Sequence, residues 1–177
     1  MNNLIKLVDG TPRIVTDDPW QRLLDDAPQR PAGPLIRSLA AWREHQDDAV
    51  LRGERFSLDA ICLAPDDEVE GLQAYLAVLP LIAIDFPSFR DGRGYSQAYL
   101  LRTRLGWRGE LRAVGDVLRD QLAHMRQCGF DAFAVRADKS LEDALKGLQG
   151  LSVLYGRSVI EPRPLFRRGR HKEESRS

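Results

Sequence analysis

Two cysteines in 177 residues, Cys62 and Cys128, are too few for a disulfide framework. They stand 66 positions apart with no second thiol or His at ligand spacing, which excludes a zinc ribbon, a CxxC redox centre and an iron–sulfur cluster. The three histidines, His45, His124 and His171, are scattered, so the sequence predicts no metal site. Net charge is also lacking. The 26 Lys+Arg balance 26 Asp+Glu, and nothing in the bulk electrostatics supports nucleic acid or a membrane surface as partner. The longest near-apolar run, residues 75–84, is broken by Pro80 and falls short of the ~20 residues a spanning helix needs. The opening MNNLIKLVDG has no charged stretch followed by an apolar one and a cleavage site, so the expected location is the cytoplasm.

What is present is one domain's length of chain with 43% hydrophobic residues, enough to bury a core without staples. Residues 4–16 read as a hairpin: Leu4, Ile5, Leu7 and Val8 run up to Asp9-Gly10, and Arg13-Ile14-Val15 returns. Residues 17–33, rich in Pro and acids, read as a loop with one helical turn at 20–24. Residues 34–60 are ambiguous: Leu35, Ile36, Leu39 and Ala40 suit a strand or a helix start, and 43–55 an exposed helix or loop.

From Asp59 a strand-then-helix unit recurs. Apolar runs at 60–64, 81–86, 110–114 and 131–136 read as strands. Helical stripes follow them: Val69, Leu72, Leu76 and Leu79; Tyr95, Ala98, Leu101 and Leu105; Leu118, Leu122 and Met125; Leu141, Leu145 and Leu148. Asp116 is the expected N-cap and Gly129 the stop of the third helix, and Ser140 with Asp143 resembles a capping box for the fourth. Alternation of this kind predicts an α/β fold, a parallel sheet of four to six strands in consecutive βα units. So few strands form an open sheet or a half-barrel, preceded by the N-terminal β-hairpin. Residues 1–160 are expected to form the single domain, and 161–177 a basic, mobile tail, with six Arg/Lys against two Glu from residue 163 onward.

Chemistry concentrates between Asp85 and Arg136. In a parallel sheet, ligands sit beyond the carboxyl ends of the strands. Arginine outnumbers lysine 22 to 4, and guanidinium suits bidentate capture of oxyanions. Arg93, Arg112, Asp116 and Arg136 are therefore candidates for an anion site, with structural ion pairing as the alternative. Arg112 sits within a strand and needs a counter-charge, for which Glu110 and Asp85 are in reach. Arg102, Arg104 and Arg108 read as surface or ion-paired residues. Gly92-Arg93-Gly94 before a helix resembles a phosphate loop but fails the dinucleotide fingerprint, because Gln97 stands where a third glycine belongs and no Walker lysine follows. His124 lacks a carboxylate to orient it. Cys128 reads as packing, with neither a helix N-terminus nor a neighbouring base to activate it. Asp91, Arg93, Tyr95, Asp120 and Gln121 are polar loop and helix-face residues suited to a partner surface.

DFPSFRDGRGYSQAYLLR, GELRAVGDVLRDQL and CGFDAF, with LAPDD at 63–67, resemble the signature runs of a bacterial family known as domain of unknown function 934. The family carries an oxidoreductase label tied to sulfite reduction. The resemblance implies a place in assimilatory sulfite reduction and cysteine biosynthesis, with the sulfite reductase hemoprotein as partner; it brings no established catalytic residues. A six-electron reduction needs haem, an iron–sulfur cluster or flavin, and the chain has no motif for these. The expectation is an accessory protein without a cofactor of its own that binds the reductase or presents its electron donor. A free-standing small-anion, flavin- or nicotinamide-dependent oxidoreductase is the alternative, so flavin or NADP stays open, as does a homo-oligomer.

Overall fold

The computed structural model describes residues 3–23, 31–51, 58–149 and Val159. β1 (Leu4–Val8) and β2 (Thr11–Val15) form the expected hairpin, with Asp9 at φ 50° and Gly10 at φ 75° supplying the left-handed pair that a tight two-residue turn requires. β3 (Gln21–Arg22), β4 (Leu35–Ser38), β5 (Ala60–Leu63), β6 (Leu81–Phe86), β7 (Glu110–Gly115) and β8 (Ala132–Ala134) follow. They lie parallel, side by side in chain order. β1 then pairs antiparallel with β8, giving the order β2-β1-β8-β7-β6-β5-β4-β3. The fold is thus α/β with a mixed eight-stranded sheet, and the expectation of a wholly parallel one is corrected. The hairpin was read as a local unit, whereas its first strand completes β8.

The two edge strands, β2 and β3, are consecutive in the chain, and only residues 16–20 join them. That link reaches ~22 Å at full extension. Eight strands laid flat would hold their edges ~33 Å apart. The sheet therefore curls into an open half-barrel, and residues 16–20 cross its concave face as a strap.

α1 (Leu39–Leu51), α2 (Arg93–Thr103), α3 (Arg119–Cys128) and α4 (Leu141–Gln149) follow β4, β6, β7 and β8. Strand alternation divides the core. Ile82, Ile84 and Phe86 of β6 join Leu101, Leu122, Met125 and Leu148 in the main core on the helical side. Leu81 and Ala83 face the other way, with Ile36, Ala60, Cys62 and Val114, under Trp20 of the strap. Three local readings are corrected. The turn expected at 20–24 is β3, because Gln21 and Leu23 donate to the carbonyls of Pro34 and Ile36. The stripe at 69–79 is a 3₁₀ turn, Glu70–Leu72, continued by further turns, since Leu72, Tyr75 and Val78 each donate three residues back. Asp116 does not cap α3; Gln121 Oε1 accepts the Leu118 N–H instead, at 3.1 Å. Ser140 does cap α4, accepting the Asp143 N–H at 3.2 Å. Among the described residues no helix is long and apolar enough to cross a membrane. The expected tail, 161–177, lies outside the described residues.

Candidate functional site

The loops leaving β5 to β8 meet at one rim, and Asp116 is its hub. Gly115, at φ 92°, swings the chain out of β7, and a Cβ there would lie 2.4 Å from the Phe86 carbonyl oxygen and 2.7 Å from Asp85 Oδ1. This turn aims the Asp116 carboxylate sideways across the loops: Oδ2 accepts the Phe89 N–H at 2.9 Å and Oδ1 accepts Arg136 Nη1 at 2.8 Å. Those two contacts, the backbone N–H first, hold the Asp116 carboxyl below the usual carboxylate range. Arg136 also grips Asp138 through Nε and Nη2, at 2.6 and 2.9 Å, and Asp138 falls to about 2 because of it. Gln121 reaches over from α3 and donates to the Phe89 carbonyl at 2.8 Å and to Tyr95 Oη at 3.2 Å. Both backbone polar groups of Phe89 are thereby fixed by side chains of the next βα unit. The ring itself is 46% exposed, and the Arg90 guanidinium lies over it, 5.3 Å from the centroid.

The start of α2 explains the second of the two glycines and the absence of a phosphate loop. Asp91 already fills the anion position there, its Oδ1 accepting the Arg93 N–H at 3.1 Å and Nε at 3.0 Å, and its Oδ2 accepting Nη2 at 2.7 Å. These bonds depress the Asp91 carboxyl. Arg93 Nη1 extends to Asp66 in the loop after β5. Gly94 packs: a Cβ there would press within 2.8 Å of the Phe86 ring and 3.0 Å of Ile84. Gln97, which breaks the nucleotide fingerprint, is buried and donates to the carbonyls of Ala64 and Asp67 at 2.8 and 2.9 Å, pinning the loop after β5.

Arg112 lies apart from the rim, fully buried on the concave face of β7. Its Nη1 and Nη2 donate to both oxygens of Asp18, at 2.9 and 2.8 Å, and Nε donates to Glu110 Oε1 at 2.7 Å. Lys6 Nζ completes the cluster, 2.8 Å from Asp18 Oδ2 and 2.9 Å from Glu110 Oε2. Burial would raise the Asp18 carboxyl, but the bonds from Arg112 and Lys6 outweigh it and the carboxyl is lowered. Glu110 is thus the counter-charge expected for Arg112. Asp85 pairs with Arg22 instead, at 2.9 Å.

A family model described as "Bacterial protein of unknown function (DUF934)" matches residues 60–166, well over half of the chain. The chain belongs to the DUF934 family. No curated protein and no solved structure matches it. In this DUF934 protein the matched residues run from β5 through α4, so they include the whole rim, whereas Lys6 and the strap with Asp18 precede them.

The candidates for an anion site divide into three clusters. Arg93 is held by Asp91 and Asp66, Arg136 by Asp116 and Asp138, and Arg112 by Asp18 and Glu110. Asp116 and Arg136 are brought together; Arg93 and Arg112 share no described partner with them. Of the partner-surface candidates, Arg93 and Asp120 are exposed. Tyr95 is half-buried, its ring 5.2 Å from that of Phe86 and 4.6 Å from that of His124. Asp91 and Gln121 are spent on the loop.

One further reading is corrected and another is decided between its alternatives. Cys128 does have a basic neighbour, since His124, one helical turn earlier, places Nε2 3.9 Å from its Sγ; burial nevertheless pushes the thiol up. The i, i+4 spacing was the available signal. Of the two readings of Arg102, surface or ion-paired, the second holds, with the side chain 10% exposed and paired to Asp131. The guanidinium donates to the carbonyls of Gly129, Trp107 and Gly109 at 2.9, 2.9 and 2.8 Å and to Asp131 Oδ2 at 2.8 Å. Nothing local in the sequence singles out Phe89, an exposed apolar residue of the rim, because Asp116 and Gln121, which hold its backbone, lie 27 and 32 residues away.

Proposed function

We propose that this DUF934 protein is a binding module, an accessory protein of assimilatory sulfite reduction that docks on the sulfite reductase hemoprotein through residues 87–92. One observation carries the docking surface: an exposed phenylalanine whose N–H and C=O are both held by side chains from a neighbouring unit. A loop that only connects a strand to its helix gains nothing from fixing an aromatic ring in water. Fixing it does lower the entropy lost on association, and aromatic and Arg side chains are enriched among residues that dominate binding energy. Phe89 and Arg90 supply that pair of types side by side. The choice of partner rests on the family resemblance of the signature runs, most of which build this rim.

The test is co-purification of the full chain with the hemoprotein at low salt. Phe89→Ala should cut affinity by ~2 kcal/mol or more, about thirtyfold. The melting temperature should change little, because the side chain lies outside the hydrophobic core and is 46% exposed. No association by the wild-type chain refutes the accessory role. Association insensitive to Phe89→Ala and Arg90→Ala refutes this loop as the surface.

A further inference from the structure

The concave face is closed largely by apolar and small side chains, Ile36, Ala60, Cys62, Leu81, Ala83 and Val114, with Asp85 of β6 paired to Arg22 beside them, yet four charges meet in its middle. The register explains how they fit. Ala83, Arg112 and Ala132 stand in one row across β6, β7 and β8, and Lys6 of β1 is the next in that row. Two alanines flank the guanidinium, so Arg112 and Lys6 have room to lean over Ala132 toward a common point. That point holds the Asp18 carboxylate, each oxygen on a different guanidinium nitrogen and one of them also on Lys6.

Glu110 stays with both cations from within its own strand. Among the described residues Arg112, Lys6 and Glu110 sum to one positive charge, and the described anion that neutralises it arrives on a strap outside the regular strands. A buried ion pair is a poor way to hold a cover down, because apolar residues of like volume serve as well or better. It is a good way to hold a cover that can be exchanged for an anion. We infer that Arg112 and Lys6 form a binding site for a small oxyanion with two oxygens to offer, carboxylate or sulfate in size, which the Asp18 carboxylate fills at rest. The anion displaces Asp18 and lifts the middle of the strap, Trp20 included, while β2 and β3 keep its ends in place. The inference does not depend on the docking role of the rim.

Trp20 reports the event. The other two tryptophans, Trp42 and Trp107, are buried in the main core on the helical side, at 1% and 6% exposure. The experiment titrates the full chain with sodium acetate or sodium sulfate, holding ionic strength constant with chloride, and follows emission; Trp20→Phe identifies the signal. A saturable red shift with either anion is expected, the stronger of the two defining planar or tetrahedral ligands. Asp18→Asn removes the competitor and should lower the half-saturating concentration about tenfold, whereas Lys6→Gln removes a ligand and should raise it. A purely structural ion pair predicts no saturable response. The proposal is overturned by no response in the wild-type chain, by an equal response to chloride, by both variants shifting in one direction, or by binding confined to Asp18→Asn, which is an anion filling a hole. Should Asp18→Asn not fold, the wild-type titration and Lys6→Gln decide.

Discussion

Arg102→Met should be among the most damaging single changes on the helical side. The guanidinium is 10% exposed and ties α2 to the turn after it, to the end of α3 and, through Asp131, to the entry of β8. Asp131 also accepts the Leu111 N–H at 2.7 Å, so the arginine stabilises a carboxylate on which the start of β7 depends. Removing one partner of a buried pair costs ~3–5 kcal/mol. The Asp131 side chain is 35% exposed and water relieves part of that loss, which places the expectation near ~3 kcal/mol. For a domain of this size the melting temperature should drop by ~6–12 °C.

The pH dependence gives the cause away. Burial raises the Asp131 carboxyl in spite of Arg102. A carboxyl whose folded pKa lies above its unfolded value favours the native state in acid and loses that advantage as pH rises through the folded value. Taking Arg102 away raises Asp131 further, so the deficit of the variant should shrink between neutrality and an acidic pH, as the carboxyl takes up its proton. Urea unfolding of both proteins at the two pH values measures this, and Arg102→Lys, with the charge but without the fork, should fall between them. A deficit under ~1 kcal/mol at neutrality, or one that does not narrow in acid, would refute the reasoning.

Further outcomes concern the rim and the tight turns. Gly115→Ala adds a left-handed penalty of ~1–2 kcal/mol to a clash with the backbone of its paired strand, for a loss of ~3 kcal/mol or more by denaturant unfolding. Gly10→Ala, whose Cβ would meet nothing within 4 Å, should cost only ~1 kcal/mol. Asp116→Ala should abolish hydrogen-exchange protection of the Phe89 amide with little change in melting temperature. In the wild-type chain that protection should persist as pH falls through the usual carboxylate range, since the depressed Asp116 carboxyl loses its hold only below it.

Much of this fold is local enough to read from one dimension. β6 is an apolar run interrupted only by Asp85 and Asp9-Gly10 a turn with its own backbone chemistry, and both fall where expected. The stripe at 69–79 misleads because apolar residues three or four apart suit successive turns as well as an α-helix, and Gly71 and Pro80 favour the turns. β3 is two residues long and exists through pairing with β4. The site divides along the same line. Glu110 is two residues from Arg112 and could be named from strand alternation, whereas Asp18 is 94 residues away and nothing local points to it. Asp116 illustrates the intermediate case: its place before a helix suggests a cap, but the positive φ of Gly115 redirects it to Phe89.

The seam between β1 and β8 sets an order of events for the chain as it is made. Ile5 pairs with Phe133 and Lys6 with Ala132, so β1, once synthesised, waits for β8. At ~5–20 residues per second that wait lasts ~6–25 s. Through it, the open side of β1, with Leu4 and Ile5 destined for complete burial, is a free template for strand addition. The charge of Lys6 blunts that template, and Pro12 and Arg13 do the same for the outer edge of β2. Closure is a long-range contact, so it should be the slow phase of refolding as well, and a hairpin captured by another nascent copy in the interval would yield a strand-exchanged dimer.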